Sequence, residues 1–112
     1  MKRPVLNRKL SLEEPVRAPD GAGGFIQSWQ ALGTLWGEIK PRTGRERASG
    51  MATVSSIAFR ITVRAAPDGA PSRPKPDQRF RDGSRIFRIV AVTEADAGAQ
   101  YLTCFAQEEV SA

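Results

Sequence analysis

The stretch IAFRITVR, residues 57–64, decides how the chain is read. Its apolar and polar side chains alternate strictly. Ile57, Phe59, Ile61 and Val63 point one way, and Arg60, Thr62 and Arg64 the other. A period of two is the repeat of an extended strand, whose successive side chains emerge on opposite faces. One apolar face and one charged face mark a half-buried antiparallel strand.

C-terminal to this strand lies APDGAPSRPKPDQ, residues 66–78, with four prolines. Proline fixes φ and donates no backbone hydrogen bond, so this segment predicts a stiff, extended surface loop without regular pairing. Arg79–Asp82 and Arg85–Thr93 then flank the turn signal Asp82-Gly83. Glu94–Gly98 reads as a polar turn. Gln100–Gln107 is a last strand, with Leu102, Cys104 and Ala106 opposite Tyr101, Thr103 and Phe105.

On the N-terminal side, Arg8–Val16 alternates loosely and reads as an edge strand ended by Pro15. Residues 18–24, APDGAGG, form a glycine-rich turn. Phe25–Gln30 and Leu32–Pro41 read as two further strand pieces. In the second, Leu35, Gly37 and Ile39 share one face and Trp36, Glu38 and Lys40 the other. Trp29 and Trp36 read most simply as packing aromatics, each burying ~200 Å². The predicted fold is all-β, a small antiparallel barrel or sandwich of about six to seven strands.

Between the strands ending at Pro41 and beginning at Ile57 lies an arm, residues 42–56, with Arg42, Arg45 and Arg47. A tight hairpin needs about two to five residues, and this connection is several times longer. It has room for a short helix at Arg45–Met51, bracketed by Gly44 and Gly50, or for an extra strand. The whole chain, 1–112, is expected to be one domain carrying this arm and the Pro-rich loop 66–78.

Composition narrows the function. With no histidine and one cysteine, histidine acid–base catalysis, histidine metal sites and a thiolate zinc cluster are excluded. No phosphate-binding or dinucleotide glycine motif is present. No catalytic residues, cofactor or metal are therefore expected, and the chain does not read as an enzyme. No apolar run approaches the ~20 residues of a membrane helix, and the basic start lacks a signal-peptide apolar region. The net charge of +5 permits contact with nucleic acid or an acidic protein without requiring it.

Three ordered segments resemble one family, the phage head–tail joining proteins. The first, residues 20–46, carries Asp20, Gly21, Gly23, Gly24 and Trp29, then Thr34, Trp36, Ile39, Pro41, Gly44, Arg45 and Glu46. The second is FRITVRAAPD, 59–68. The third is PDQRFRDGSRIFRIVAV, 76–92, with Gly83, Arg85, Phe87 and Ile89. Phe87 stands where the family usually has Tyr, and residues 69–76 are richer in proline than the pattern.

The resemblance implies a structural neck component of a tailed phage, prophage or gene transfer agent. It implies a cyclic ring, hexamer or dodecamer, that joins a portal-side adaptor to the tail terminator or tail tube. That ring closes the channel on packaged double-stranded DNA. The protein would be made in the bacterial cytoplasm and reside in the particle neck, away from any membrane. Arg42, Arg45, Arg47, Ser49 and Met51 of the arm would face the channel and its DNA. Trp29, Arg60, Arg64, Arg79, Arg81 and Arg85 would serve subunit or partner interfaces, since a ring needs heterologous contacts. The alternative is a small basic module that binds single-stranded nucleic acid in the manner of an OB-fold. That requires exposed aromatics interleaved with basic residues on one sheet face.

Overall fold

The computed structural model describes residues 3–42 and 57–109. They form six strands: β1 (Arg8–Pro19), β2 (Phe25–Pro41), β3 (Ile57–Arg64), β4 (Arg79–Asp82), β5 (Arg85–Glu94) and β6 (Tyr101–Glu109). All pairings are antiparallel, and the order β1-β2-β3-β6-β5-β4 closes on itself through a β4–β1 ladder. The barrel reading holds, with six strands. Positions 43–56, where a helix or extra strand had room, lie outside the described residues.

Alternation places the core. Leu10 and Leu12 of β1, Phe59, Ile61 and Val63 of β3, and Phe80 of β4 are buried. So are Phe87 and Ile89 of β5 and Leu102, Cys104 and Ala106 of β6. Phe59 and Phe87 meet edge to face, centroids 5.3 Å apart. Ile57 keeps the parity of this face but is 53% exposed, because the core ends before the first residue of β3.

Four local expectations change. First, β1 is not a simple edge strand ended by Pro15. Over Ser11–Glu13 it pairs with both β2 and β4, and it runs on through Pro15 to Pro19. Beyond Glu13 no strand among the described residues pairs with its outer edge, so a proline missing its donor is tolerated there. Second, the two strand pieces 25–30 and 32–41 are one strand, β2. A bulge at Leu32 joins them, and Gly33 takes a φ of +146°, which favours glycine. The far halves of β1 and β2 thus form a two-stranded ribbon beyond the barrel.

Third, the Pro-rich loop is neither extended nor merely superficial. It folds into successive turns: Ala70 N–H donates to Pro67 O, Arg73 N–H to Ala70 O, and Gln78 N–H to Lys75 O. Asp77 N–H reaches Ile89 O, Ile89 N–H reaches Gln78 O, and Pro74 is fully buried. Fourth, neither tryptophan belongs to the core. Trp36 is 53% exposed, and Trp29 lies on the ribbon.

Candidate functional site

In this barrel the ribbon, the 65–78 loop and the 95–100 turn lie at one end. The arm connection and the Asp82–Arg85 turn lie at the other. Arg42 N–H donates to Ala58 O, so the two roots of the arm stand side by side.

The arm end is closed by two ion pairs. Arg8 pairs with Asp82. Arg85 donates from Nε and Nη2 to both carboxylate oxygens of Glu108, at 2.8 and 3.0 Å. That fork holds the Glu108 carboxyl below its ordinary range and raises the Arg85 guanidinium. Arg85 also lies over the rings of Phe87 and Phe59, at 4.9 and 5.7 Å. It caps the core from above.

At the ribbon, Arg79 is nearly buried. Its Nε donates to Glu13 at 2.7 Å, and its guanidinium lies 4.0 Å from the centroid of the Trp29 ring. Arg81 approaches the other Glu13 oxygen at 3.5 Å, but its buried Nε makes no hydrogen bond. The inner face of the ribbon and the outer wall of β4 and β5 enclose a groove of about 640 Å³. Pro15, Arg17, Gln27, Trp29, Arg79 and Arg88 line it, with Asp77 and Glu109. At the ribbon tip Asp20 Oδ1 accepts from the N–H groups of Ala22 and Gly24. Those bonds hold its carboxyl below the ordinary range.

The third region is the outer wall of β2, β3 and β6. Lys40, Arg60 and Arg64 stand there, and the register sets Arg60 beside Lys40 and Phe105. The Arg64 guanidinium lies 5.6 Å from the Tyr101 ring centroid, and that of Arg42 5.5 Å from Phe105. Arg60 and Arg64 are exposed and make no ion pair among the described residues. A shallow cleft of about 320 Å³ runs along this wall beneath the N-terminal residues Arg3, Pro4 and Val5. Val5 N–H donates to Glu38 there.

The residues singled out in the sequence therefore separate into three groups. Arg60, Arg64 and Arg42 share one basic, aromatic wall. Trp29, Arg79 and Arg81 meet at the ribbon, and Arg85 caps the arm end. Arg45, Arg47, Ser49 and Met51 lie outside the described residues. Sequence reasoning missed Glu13 and Glu108, which engage three of those arginines. Glu13 lies 66 positions from Arg79, and nothing local to either marks the pairing. It also missed that Tyr101 and Phe105 would stand beneath arginines, although their outward parity was visible.

Comparison with known proteins gives the following. The profile of a family described as phage head completion protein matches residues 1–109. A chain in the structure "Virion of native gene transfer agent (GTA) particle" is 57% identical. Its TM-score is 0.82, and the match covers 98% of this chain and 100% of that one. A solution structure of a Shigella flexneri 2a protein has 19% identity and a TM-score of 0.71 over 100% of both chains, a likeness of fold alone. No curated protein matches.

Proposed function

This chain belongs to the phage head completion protein family, and we propose that it acts in the neck of a phage-like particle, joining head to tail. The family is structural rather than enzymatic, and the 57% identical chain is part of a native gene transfer agent virion. That full-length identity is the observation carrying the reading. The chain is thus a structural component of a phage-like particle that contacts other particle proteins.

In the finer reading, copies form a cyclic hexamer or dodecamer between a portal-side adaptor and the tail terminator or tail tube. The roots of the arm, Arg42 and Ala58, meet at one end of the barrel. Several copies of the arm converge on the axis and close the channel over packaged double-stranded DNA. Arg42, Arg45 and Arg47 meet its phosphates through non-specific electrostatics. The paired arginines Arg79, Arg81 and Arg85 hold the barrel's own shape. Arg60 and Arg64, exposed on one wall, are the stronger candidates for a neighbouring subunit's carboxylates.

Imaging of particles with a tagged copy tests this: a closed ring in the neck between adaptor and tail is expected. A tag found only in the capsid shell or the tail tip would overturn it. One observation favours a second reading, single-strand nucleic-acid binding: Arg42 on Phe105 and Arg64 on Tyr101 share a sheet face. Fluorescence anisotropy with a short single strand separates the two. The neck reading expects weak binding that salt abolishes, and micromolar binding at physiological salt supports the other.

A further inference from the structure

Among the described residues, the ribbon half of β2 has a strand on one side only. β2 pairs with β1 from Phe25 to Gly37, but with β3 only from Gly37 to Pro41. From Phe25 to Trp36 the second row of backbone donors and acceptors therefore has no strand beside it among the described residues. Soluble proteins guard such edges with lysine, proline or inward charges, because an open edge templates another strand. The open edge of β1 follows that rule, with Pro15 and Pro19. The β2 edge breaks it. The run FIQSWQALGTLWG, Phe25 to Gly37, contains neither a charged residue nor a proline, in a chain that is 26% charged. Phe25, Ile26 and Trp36 on it are 60%, 57% and 53% exposed.

We propose that this edge pairs with the same edge of a second copy, antiparallel, across a two-fold axis at Gln30. Self-complementarity argues for a second copy. The β1 partners of Phe25 and Trp36 are Pro19 and Lys9, which share parity on an unbulged strand, so Phe25 and Trp36 lie on one face. Ile26 and Leu35, opposite Ala18 and Leu10, lie on the other. With the axis at Gln30 and Leu32 bulged out, Trp29 faces Ala31 of the second copy and Gln27 faces Thr34. Phe25 meets Trp36, and Ile26 meets Leu35. Every facing pair is on one side of the sheet, and the apolar ends meet apolar ends. The edge strand itself carries no charge; the nearest cations, Arg17 with its guanidinium 4.6 Å from the Phe25 ring centroid and Lys9 opposite Trp36, stand on β1. The pair is closed and two-fold, which distinguishes it from the head-to-tail contacts of a ring.

Sedimentation velocity of the full chain from 1 to 200 µM tests the pairing, together with amide hydrogen exchange. A two-copy species is expected, with protection of Ile26–Trp36 amides rising in step. Phe25→Lys, at an exposed position, should weaken association at least tenfold while leaving the circular-dichroism melt unchanged. Gln30→Cys in a Cys104→Ala background should form an intermolecular disulfide, since directly opposed Cα atoms of an antiparallel pair lie ~4.5–5.5 Å apart, within disulfide reach. A chain that stays monomeric throughout overturns the proposal. So does association unaffected by Phe25→Lys, or Gln30→Cys that fails to cross-link in an associated sample. A hexamer or dodecamer without β2 protection would overturn the pair and leave the neck reading standing.

Discussion

Glu108 accepts both hydrogen bonds of the Arg85 fork, and this gives the stability a sign with pH. The folded-state pKa of Glu108 is lowered from the ordinary 4.5, first by the Arg85 hydrogen bonds and then by its charge, against opposing burial. The pair's contribution is therefore fully present above 4.5 and is lost as pH falls through the lowered value. It is modest, since the Arg85 side chain is 40% exposed and solvent screens it. Thermal melts of the native chain and Glu108→Gln should differ at pH 7 and converge as pH falls below 4. A constant difference across that range would show that the fork is not the source. Ile61 and Arg60 test the parity of β3 itself. Ile61 is fully buried and Arg60 exposed. Ile61→Asp should abolish the folding transition, because it buries an unpaired carboxylate. Arg60→Ala should change stability by less than about 0.5 kcal/mol. The reverse ranking in denaturant melts would mean a register one residue out.

Among the elements, β2 does two jobs. Its second half is a barrel stave, and its first half is the ribbon. Gly37, in the stave where β2 begins to pair with β3, is buried, and an added Cβ would lie 3.0 Å from Leu10 Cδ1 and 3.1 Å from Thr62 O. Gly37→Ala should therefore destabilise the barrel by about 1–3 kcal/mol, the usual cost of overpacking, read as a lower denaturation midpoint. The arm behaves differently. Its roots are already joined by the Arg42–Ala58 hydrogen bond. Replacing residues 43–55 with Asn-Gly should leave the melt unchanged or slightly raised, since a shorter loop costs less entropy to close. A collapsed near-ultraviolet spectrum would show that the arm is part of the fold.

On the proposed neck role, the arm acts only in the assembled particle. If the arm closes the channel only once DNA is inside, particles assembled with the arm-replaced chain should still package DNA. They should then leak DNA or fail to join tails. Normal infectious or transducing titres would refute channel closure by the arm. Changing Arg42, Arg45 and Arg47 to Gln is a milder test: if the arginines hold phosphates, DNA retention should drop at low salt, and the gap from the native chain should narrow as salt rises, because fewer ionic contacts remain to be screened. A defect confined to tail joining would assign them to protein carboxylates instead.

Strand identity was legible in the sequence because it depends on the pleat. Phe59, Ile61 and Val63 went inward and Arg60 and Arg64 outward as their parity required, as did Leu102, Cys104 and Ala106 in β6. The family was legible too, from ordered motifs spread along the chain. Barrel closure was not, because the β1–β4 ladder joins residues far apart in the chain. From that closure follow the double pairing of β1, the salt bridge of Arg79 with Glu13, and the burial of Pro74. It also settles that Trp29 stacks on a buried arginine while Trp36 stays in solvent. Local pattern states which side of a strand a residue occupies. Only long-range packing decides whether that side is covered, because the covering atoms come from elsewhere in the chain.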